Sequence, residues 1–265
     1  MERSCEGKVA VVTGASRGLG EAIARRLADE GARVVLSART LDPDPKYAGS
    51  LKETAAAINA AGGEAIAIRC DLSDTESRRA LITETVERLG PVDILVNNAA
   101  VTFLLPFTEF PEKRFRLMFE VQVRAPYELA QLVVPSMRER GEGWILNITS
   151  RAGIHPFGPP FEPVHKSGFT VYGMVKAALD RFSTALAAEL YDDGIAVNAL
   201  APWDNVATPG ASGHDLVDGF AIEGPEWMAE AALLLCSTPP KQLTGRVAYS
   251  QPLLAEFQRR PKPPR

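Results

Sequence analysis

Tyr172 and Lys176 stand four residues apart in Tyr172-Gly173-Met174-Val175-Lys176, a spacing that puts both side chains on one face of a helix. A phenol ionises near pH ~10. A neighbouring ammonium favours the phenolate, and lowering the phenol by about 3 units takes roughly 4 kcal/mol of differential stabilisation. So tuned, it gives or takes the proton of an alcohol near neutral pH. Ser150 follows the apolar run Trp144-Ile145-Leu146-Asn147-Ile148-Thr149, and its hydroxyl can bond a carbonyl oxygen and steady developing charge. Each feature has an ordinary alternative. A tyrosine and a lysine at this spacing also pack and snorkel, and a serine after a strand also begins a loop.

A second group of residues suits a phosphate. Thr13-Gly14-Ala15-Ser16-Arg17-Gly18-Leu19-Gly20 follows the apolar run Val9-Ala10-Val11-Val12, and Leu19, Ile23 and Leu27 continue at helical spacing. Strand, glycine turn, helix is the context in which glycines let backbone approach a pyrophosphate at a helix N-terminus. A tight strand-to-helix turn without a ligand needs glycine as well.

Elements that must position these groups alternate along the whole chain. Strands are expected at 8–13, 33–38, 64–70, 92–97, 144–149, 194–200 and 246–250, and helices at 18–30, 50–62, 74–89, 111–140, 170–192 and 225–237. The strands are almost continuously apolar, as strands covered on both faces are. The expected fold is therefore α/β, a single Rossmann-type domain over 1–258 with a doubly wound parallel sheet of about seven strands. Residues 259–265 read as a flexible, basic, proline-rich tail. Two stretches rich in glycine and proline, 151–171 and 202–224, follow strand ends where such sheets bind ligands. Pro126, inside the fourth helix, is expected to kink it or disturb one backbone bond.

Composition excludes several function classes. A formal net charge of −4 over 265 residues argues against a nucleic-acid surface, and no apolar run approaches membrane-spanning length. Cys5, Cys70 and Cys236 are odd in number and lack metal spacing, which fits reduced thiols in a cytoplasmic protein. The polar N-terminal residues are too few for a signal peptide. Neither His155 nor His165 has metal-ligand spacing, so no metal is expected.

Taken together, the chain resembles the short-chain dehydrogenase/reductases. The matching residues are the glycine turn, Asp71-Leu72, Asn97-Asn98-Ala99-Ala100, Ser150, Tyr172 with Lys176, and Val197-Asn198-Ala199-Leu200-Ala201-Pro202. The stretch with Pro43, Pro45, Lys46 and Gly49 is similar to the hydroxysteroid dehydrogenase-like branch. The resemblance implies Tyr172 as general acid/base, Lys176 as the residue that holds the nicotinamide ribose and depresses the tyrosine, and Ser150 as the group binding the reacting oxygen. It also implies cofactor contacts at Gly14, Ser16, Arg17, Gly18, Leu19, Asp71, Leu72, Asn98, Ala99, Tyr172, Lys176, Val206 and Thr208. Asp71 would meet the adenine, although a strand-end turn explains it too; Asn98 is open to a purely structural role as a strand tie. A homodimer or homotetramer through the long helices is implied as well.

Three departures from the family pattern stand out. Gln122 occupies the place where the family usually has an asparagine, 28 residues before Ser150, and its extra methylene is expected to displace the backbone irregularity and ordered water that the asparagine supports, which touches the proton relay more than the hydride transfer. The gap from Ser150 to Tyr172 is longer than usual and carries Phe157, Phe161 and Phe169, read as an aromatic substrate wall or else a surface excursion. Pro202 is followed by Trp203 rather than glycine, and Thr208 falls one position late.

At the end of the second strand, where NAD-selective relatives carry an acid, stands Ala38. Arg39 follows, Arg17 lies in the glycine turn, and Ser16 and Thr40 add hydroxyls. Two guanidinium groups suit a 2′-phosphate, so NADP(H) is favoured over NAD. The expected activity is hydride transfer between NADP(H) and the carbonyl or secondary alcohol of a fairly apolar small molecule. A cofactor-binding sensor or scaffold that has lost turnover is the alternative.

Overall fold

Continuous apolar runs become strands that bury both faces. The computed structural model describes residues 3–43, 49–161, 168–206 and 222–262. The main sheet is β1 (Val9–Thr13), β2 (Arg33–Ala38), β3 (Glu64–Arg69), β4 (Ile94–Asn97), β5 (Gly143–Ile148), β6 (Ile195–Ala201) and β9 (Val247–Tyr249). Its order is β3-β2-β1-β4-β5-β6-β9, and every pairing is parallel. A two-residue parallel bridge joins β7 (Asn205–Val206) to β8 (Ile222–Glu223).

Side chains of successive strand residues point to opposite faces, so the apolar runs feed two cores. Val12, Val34, Leu36, Ile94 and Val96 meet Ile23 and Leu27 of α1 (Gly18–Asp29), Leu51 and Ile58 of α2 (Leu51–Ala60), and the apolar helix α7 (Pro225–Ser237). Val11, Val35, Leu95, Ile145 and Val197 meet Leu81 of α3 (Thr75–Leu89), Leu129 and Met137 of α5 (Ala125–Arg140), and Ala187 of α6 (Thr170–Glu189). This is the doubly wound sheet expected from the alternation. Strand order reverses at β1, between β2 and β4, which opens a crevice at the carboxyl ends of these strands.

The long helix expected over 111–140 is three pieces. α4 (Glu112–Phe119) runs into a π-helical turn, Glu120–Arg124, and then into α5. Pro126 at the start of α5 has no N–H to give the Gln122 carbonyl four residues back, so the α-helical ladder breaks here. The final helix α8 (Ser250–Glu256) was hidden in sequence by its brevity. The described part of the tail makes two ion pairs. Lys262 pairs with Glu30 at 2.7 Å and Arg259 with Glu230 at 3.7 Å. Glu30 and Glu230 also hold the buried Arg26, at 2.8 and 2.7 Å.

Candidate active site

The glycine turn is built around a helix end without a side-chain cap. Ser50 caps α2 and Asp74 caps α3, each accepting a first-turn N–H through its side chain, at 3.1 and 3.2 Å. Arg17, at the same position before α1, is extended and makes no such bond. Gly14 and Gly18 both have left-handed backbone, at φ +68° and +58°. A Cβ on Gly20 would sit 2.3 Å from the Gly14 carbonyl oxygen. First-turn N–H groups and the positive end of α1 therefore face outward, the donor set a pyrophosphate requires. The residues present fit a dinucleotide.

Asn98 and Ala99 hold this turn from β4. Asn98 Nδ2 donates to the Thr13 and Gly14 carbonyls at 2.9 and 3.2 Å. Thr13 Oγ1 accepts the N–H groups of Asn98 and Ala99 at 3.0 and 3.1 Å. The amide nitrogen of Asn98 is thus committed to the strand tie, the structural role left open by its sequence. Leu19 is half-buried against the first core.

Beside the turn, the ends of β2 and β3 carry a cluster of cationic side chains. Ser16 is buried and Arg17 half-buried, with Arg17 Nε 3.5 Å from Ser16 Oγ. Arg39 and Thr40 are exposed after Ala38. Arg69, a cation that sequence reasoning missed because it lies at the far end of a separate strand, donates to the Arg39 carbonyl at 2.9 Å. Asp71 Oδ1 accepts from Ser73 N and Oγ at 2.9 and 2.7 Å. Those bonds first, and the nearby charges of Arg39 and Arg69 second, hold its carboxyl below the usual range. Asp71 is therefore both a turn residue and a neighbour of the arginine cluster. The fully buried Arg78 holds the Leu72 carbonyl, Thr75, Glu120 and Glu128 at once, tying this edge to the π turn.

At the other end of the crevice Ser150, Tyr172 and Lys176 come together. Ser150 lies two residues beyond β5 and accepts the Ala152 N–H at 3.2 Å, while its hydroxyl lies near enough to the Tyr172 phenol to lower its pKa. Lys176, 3% exposed, donates from Nζ to the Ile148 carbonyl at 3.0 Å and lies 5.7 Å from the Tyr172 ring centroid. Burial lowers the Lys176 ammonium to about 8 against the opposing charge of Asp180. The expected depression of Tyr172 is not found in the ligand-free protein. Loss of water around the phenol raises its pKa, and the Ser150 hydroxyl only partly offsets this.

Gln122 leaves a backbone irregularity in place, the π-helical turn Glu120–Arg124. It is buried inside the π turn and donates from Nε2 to the Val101 carbonyl at 2.7 Å. Among the described residues, much of the wall around Tyr172 comes from 101–119. Val101, Phe103, Phe110, Phe115 and Phe119 pack with Tyr172 around Met118, Val171 and Val175. The recurring phenylalanines of 103–119 were the signal that could have shown it. Of the long loop, Phe169 meets Tyr172 edge-on at 6.2 Å, whereas His155, Phe157 and Phe161 are exposed; His165 lies outside the described residues. Trp203 packs on Tyr249 at 6.0 Å and under Arg151 at 4.8 Å. Val206 ends β7, buried, and Thr208 lies outside the described residues.

A glycine turn opening a doubly wound sheet, with a serine, a tyrosine and a lysine across the crevice, defines a nicotinamide-type oxidoreductase fold. The family model for short chain dehydrogenase matches residues 8–212, and the chain belongs to that family. It is 33% identical over 247 residues to hydroxysteroid dehydrogenase-like protein 2 of Xenopus tropicalis, covering 92% of this chain and 56% of that protein. The chain thus spans little more than half the length of that relative. Among solved structures, a short chain dehydrogenase of Mycobacterium thermoresistibile is 35% identical with a TM-score of 0.82, covering 96% of this chain and 88% of that one. A metagenomic short-chain oxidoreductase in complex with NADP is 31% identical with a TM-score of 0.76, covering 94% and 99%. Among the described residues, no helix is long and apolar enough to cross a membrane.

Proposed function

We propose that this chain is an NADP(H)-dependent reductase or dehydrogenase acting on the carbonyl or secondary alcohol of a fairly apolar small molecule. The observation that carries this reading is the meeting of Ser150 and Tyr172 beside the buried Lys176, whose Nζ donates to the Ile148 carbonyl at 3.0 Å. Gly14, Gly18, Leu19 and the first turn of α1 would hold the pyrophosphate; Ser16, Arg17, Arg39 and Thr40 would hold the 2′-phosphate. NADP bound to a 31% identical neighbour supports that choice, as does Ala38 where an acid would serve NAD. Asp71, Leu72, Asn98, Ala99, Val206 and Thr208 remain assigned to the cofactor side. When bound, the nicotinamide supplies or accepts a hydride at the substrate carbon.

Ser150 donates a hydrogen bond to the substrate oxygen and fixes it beside Tyr172. The phenol, kept protonated by its raised pKa, donates its proton to that oxygen as a carbonyl becomes an alcohol. Lys176 contributes positive charge from behind and steadies the phenolate left by proton donation. Phe103, Phe110 and Phe169 exclude water and favour apolar substrates. Association into a homodimer or homotetramer fits an apolar groove of about 590 Å³ on α4, α5 and α6, lined by Phe115, Phe119, Val123, Tyr127 and Phe182.

Tyr172→Phe tests the mechanism. Turnover of a carbonyl panel with NADPH is expected to fall by about 10²–10⁴-fold with NADPH affinity retained. Unchanged turnover would remove Tyr172 from the chemistry. Equal efficiency with NADH would remove the NADP assignment, and thermal stabilisation by NADPH with no turnover of any carbonyl would favour the sensor.

A further inference from the structure

Asp180 is a half-buried carboxylate, one oxygen of which is shielded and unpartnered among the described residues. It lies one turn beyond Lys176 on the same face of α6. Its Oδ1 is shielded from solvent and has no hydrogen-bond partner among the described residues. Its Oδ2 lies 2.7 Å from the point that a Cβ on Gly153 would occupy, so the turn after Ser150 closes directly over it. The Thr149 hydroxyl, its oxygen also shielded from solvent, faces it from just beyond β5 and lowers its pKa against the effect of burial. From α6 the facing charge is Lys176; from β9 it is the Tyr249 phenol, which Arg151 of the turn after Ser150 also approaches.

Burying a carboxylate oxygen without a donor is costly. The buried acids of this chain avoid that cost, as Glu230 does with Arg26 and Glu223 with Ser250. Lys176 offers the reason for the exception. It is desolvated, one of its three donors goes to the Ile148 carbonyl, and Asp180 is the opposite charge acting on it.

We propose that Asp180 is a positioning residue for the reaction, a counter-charge that keeps Lys176 an ammonium in the dry site without occupying the donors Lys176 needs. The proposal rests on the reading of Lys176 as part of the catalytic group. Deprotonation of Lys176 then sets the alkaline limb of carbonyl reduction, and the Asp180 charge holds that limb up.

The experiment is the pH profile of NADPH-dependent reduction for Asp180→Asn and Asp180→Ser, with Asp180→Glu as the charge-keeping control. Both neutral variants are expected to move the alkaline limb down by about one pH unit, and the glutamate to restore it. Gly153→Ala, whose methyl would crowd Oδ2, perturbs the carboxylate without removing it and is expected to displace the same limb should the neutral variants not fold. The melting temperature of the cofactor-free protein gives a second readout, because the pH at which stability begins to rise with Lys176 deprotonation moves down in step. A limb that stays in place while the rate falls at every pH overturns the proposal. Measured beside Tyr172→Phe, the outcomes separate: an active Tyr172→Phe defeats the site itself, whereas an inactive one with an unmoved limb defeats only the role of Asp180.

Discussion

Arg78 and Lys176 are both buried cations, and they are treated in opposite ways. Arg78, 0% exposed, reaches the Leu72 carbonyl, Thr75 and two glutamates. Lys176 makes one bond to a carbonyl and keeps a carboxylate at a distance. A guanidinium whose donors are matched is fixed in charge and place. An ammonium left short of partners has an easily altered pKa, which suits a group that takes part in chemistry. The contrast teaches that satisfaction, more than burial, separates a brace from a reactive group.

Replacing each cation by methionine breaks the comparison most strongly. Lys176→Met is expected to cost about 10²–10⁴-fold in turnover while the melting temperature holds or rises, because a desolvated charge has been exchanged for an apolar chain. Arg78→Met is expected to show the reverse pattern. It strands Glu120 and Glu128, which Arg124 still reaches, so the loss falls near the low end for a broken buried pair, about 3 kcal/mol. That corresponds to a drop on the order of 10 °C, with turnover per folded molecule largely kept. Calorimetry and steady-state kinetics on the two variants check both halves; matching profiles would dissolve the distinction.

A smaller effect sharpens it from the acid side. Burial alone would raise Glu30, but hydrogen bonds from Lys262 and Arg26 bring it down to about 2. Its folded pKa is below the unfolded value, so its stabilisation is complete above about 4.5 and is lost as pH falls through about 2. Lys176 has the opposite sense for a base. Its folded pKa of about 8 lies below 10.5, so its burial penalty is relieved as pH climbs between those values. Glu30→Gln is therefore expected to lower the melting temperature by a few degrees at neutral pH, about 1 kcal/mol after screening. That gap from the parent protein should close in acid. A gap that persists at the lowest pH would show that Glu30 acts through packing instead.

The order of strands and helices was legible because β1, β4 and β6 are apolar on both faces and α1 is apolar on one. Ser150, Tyr172 and Lys176 were legible because helical spacing and a strand end are local properties. The break before α5 was foreshadowed by Pro126, but the bond from Gln122 to Val101 across the fold was not. Arg69 was not legible, since it acts on Arg39, distant in sequence; the phenylalanine wall left a signal in the recurring phenylalanines of 103–119, but their meeting with Tyr172 needed the fold. The fate of Asn98 was open until its amide was seen bound to Thr13 and Gly14.

The amino-acid sequence by itself settled the doubly wound sheet, the glycine turn and the types of group that could move a proton, since all three follow from periodicity and near-neighbour spacing. Tertiary structure alone decided which buried charges are matched and which are left unmatched. Desolvation and hydrogen-bond partners come from every element around a side chain, and no local stretch of sequence contains them. This is why the raised phenol of Tyr172, the lowered ammonium of Lys176 and the unpartnered oxygen of Asp180 appear only once the chain is folded.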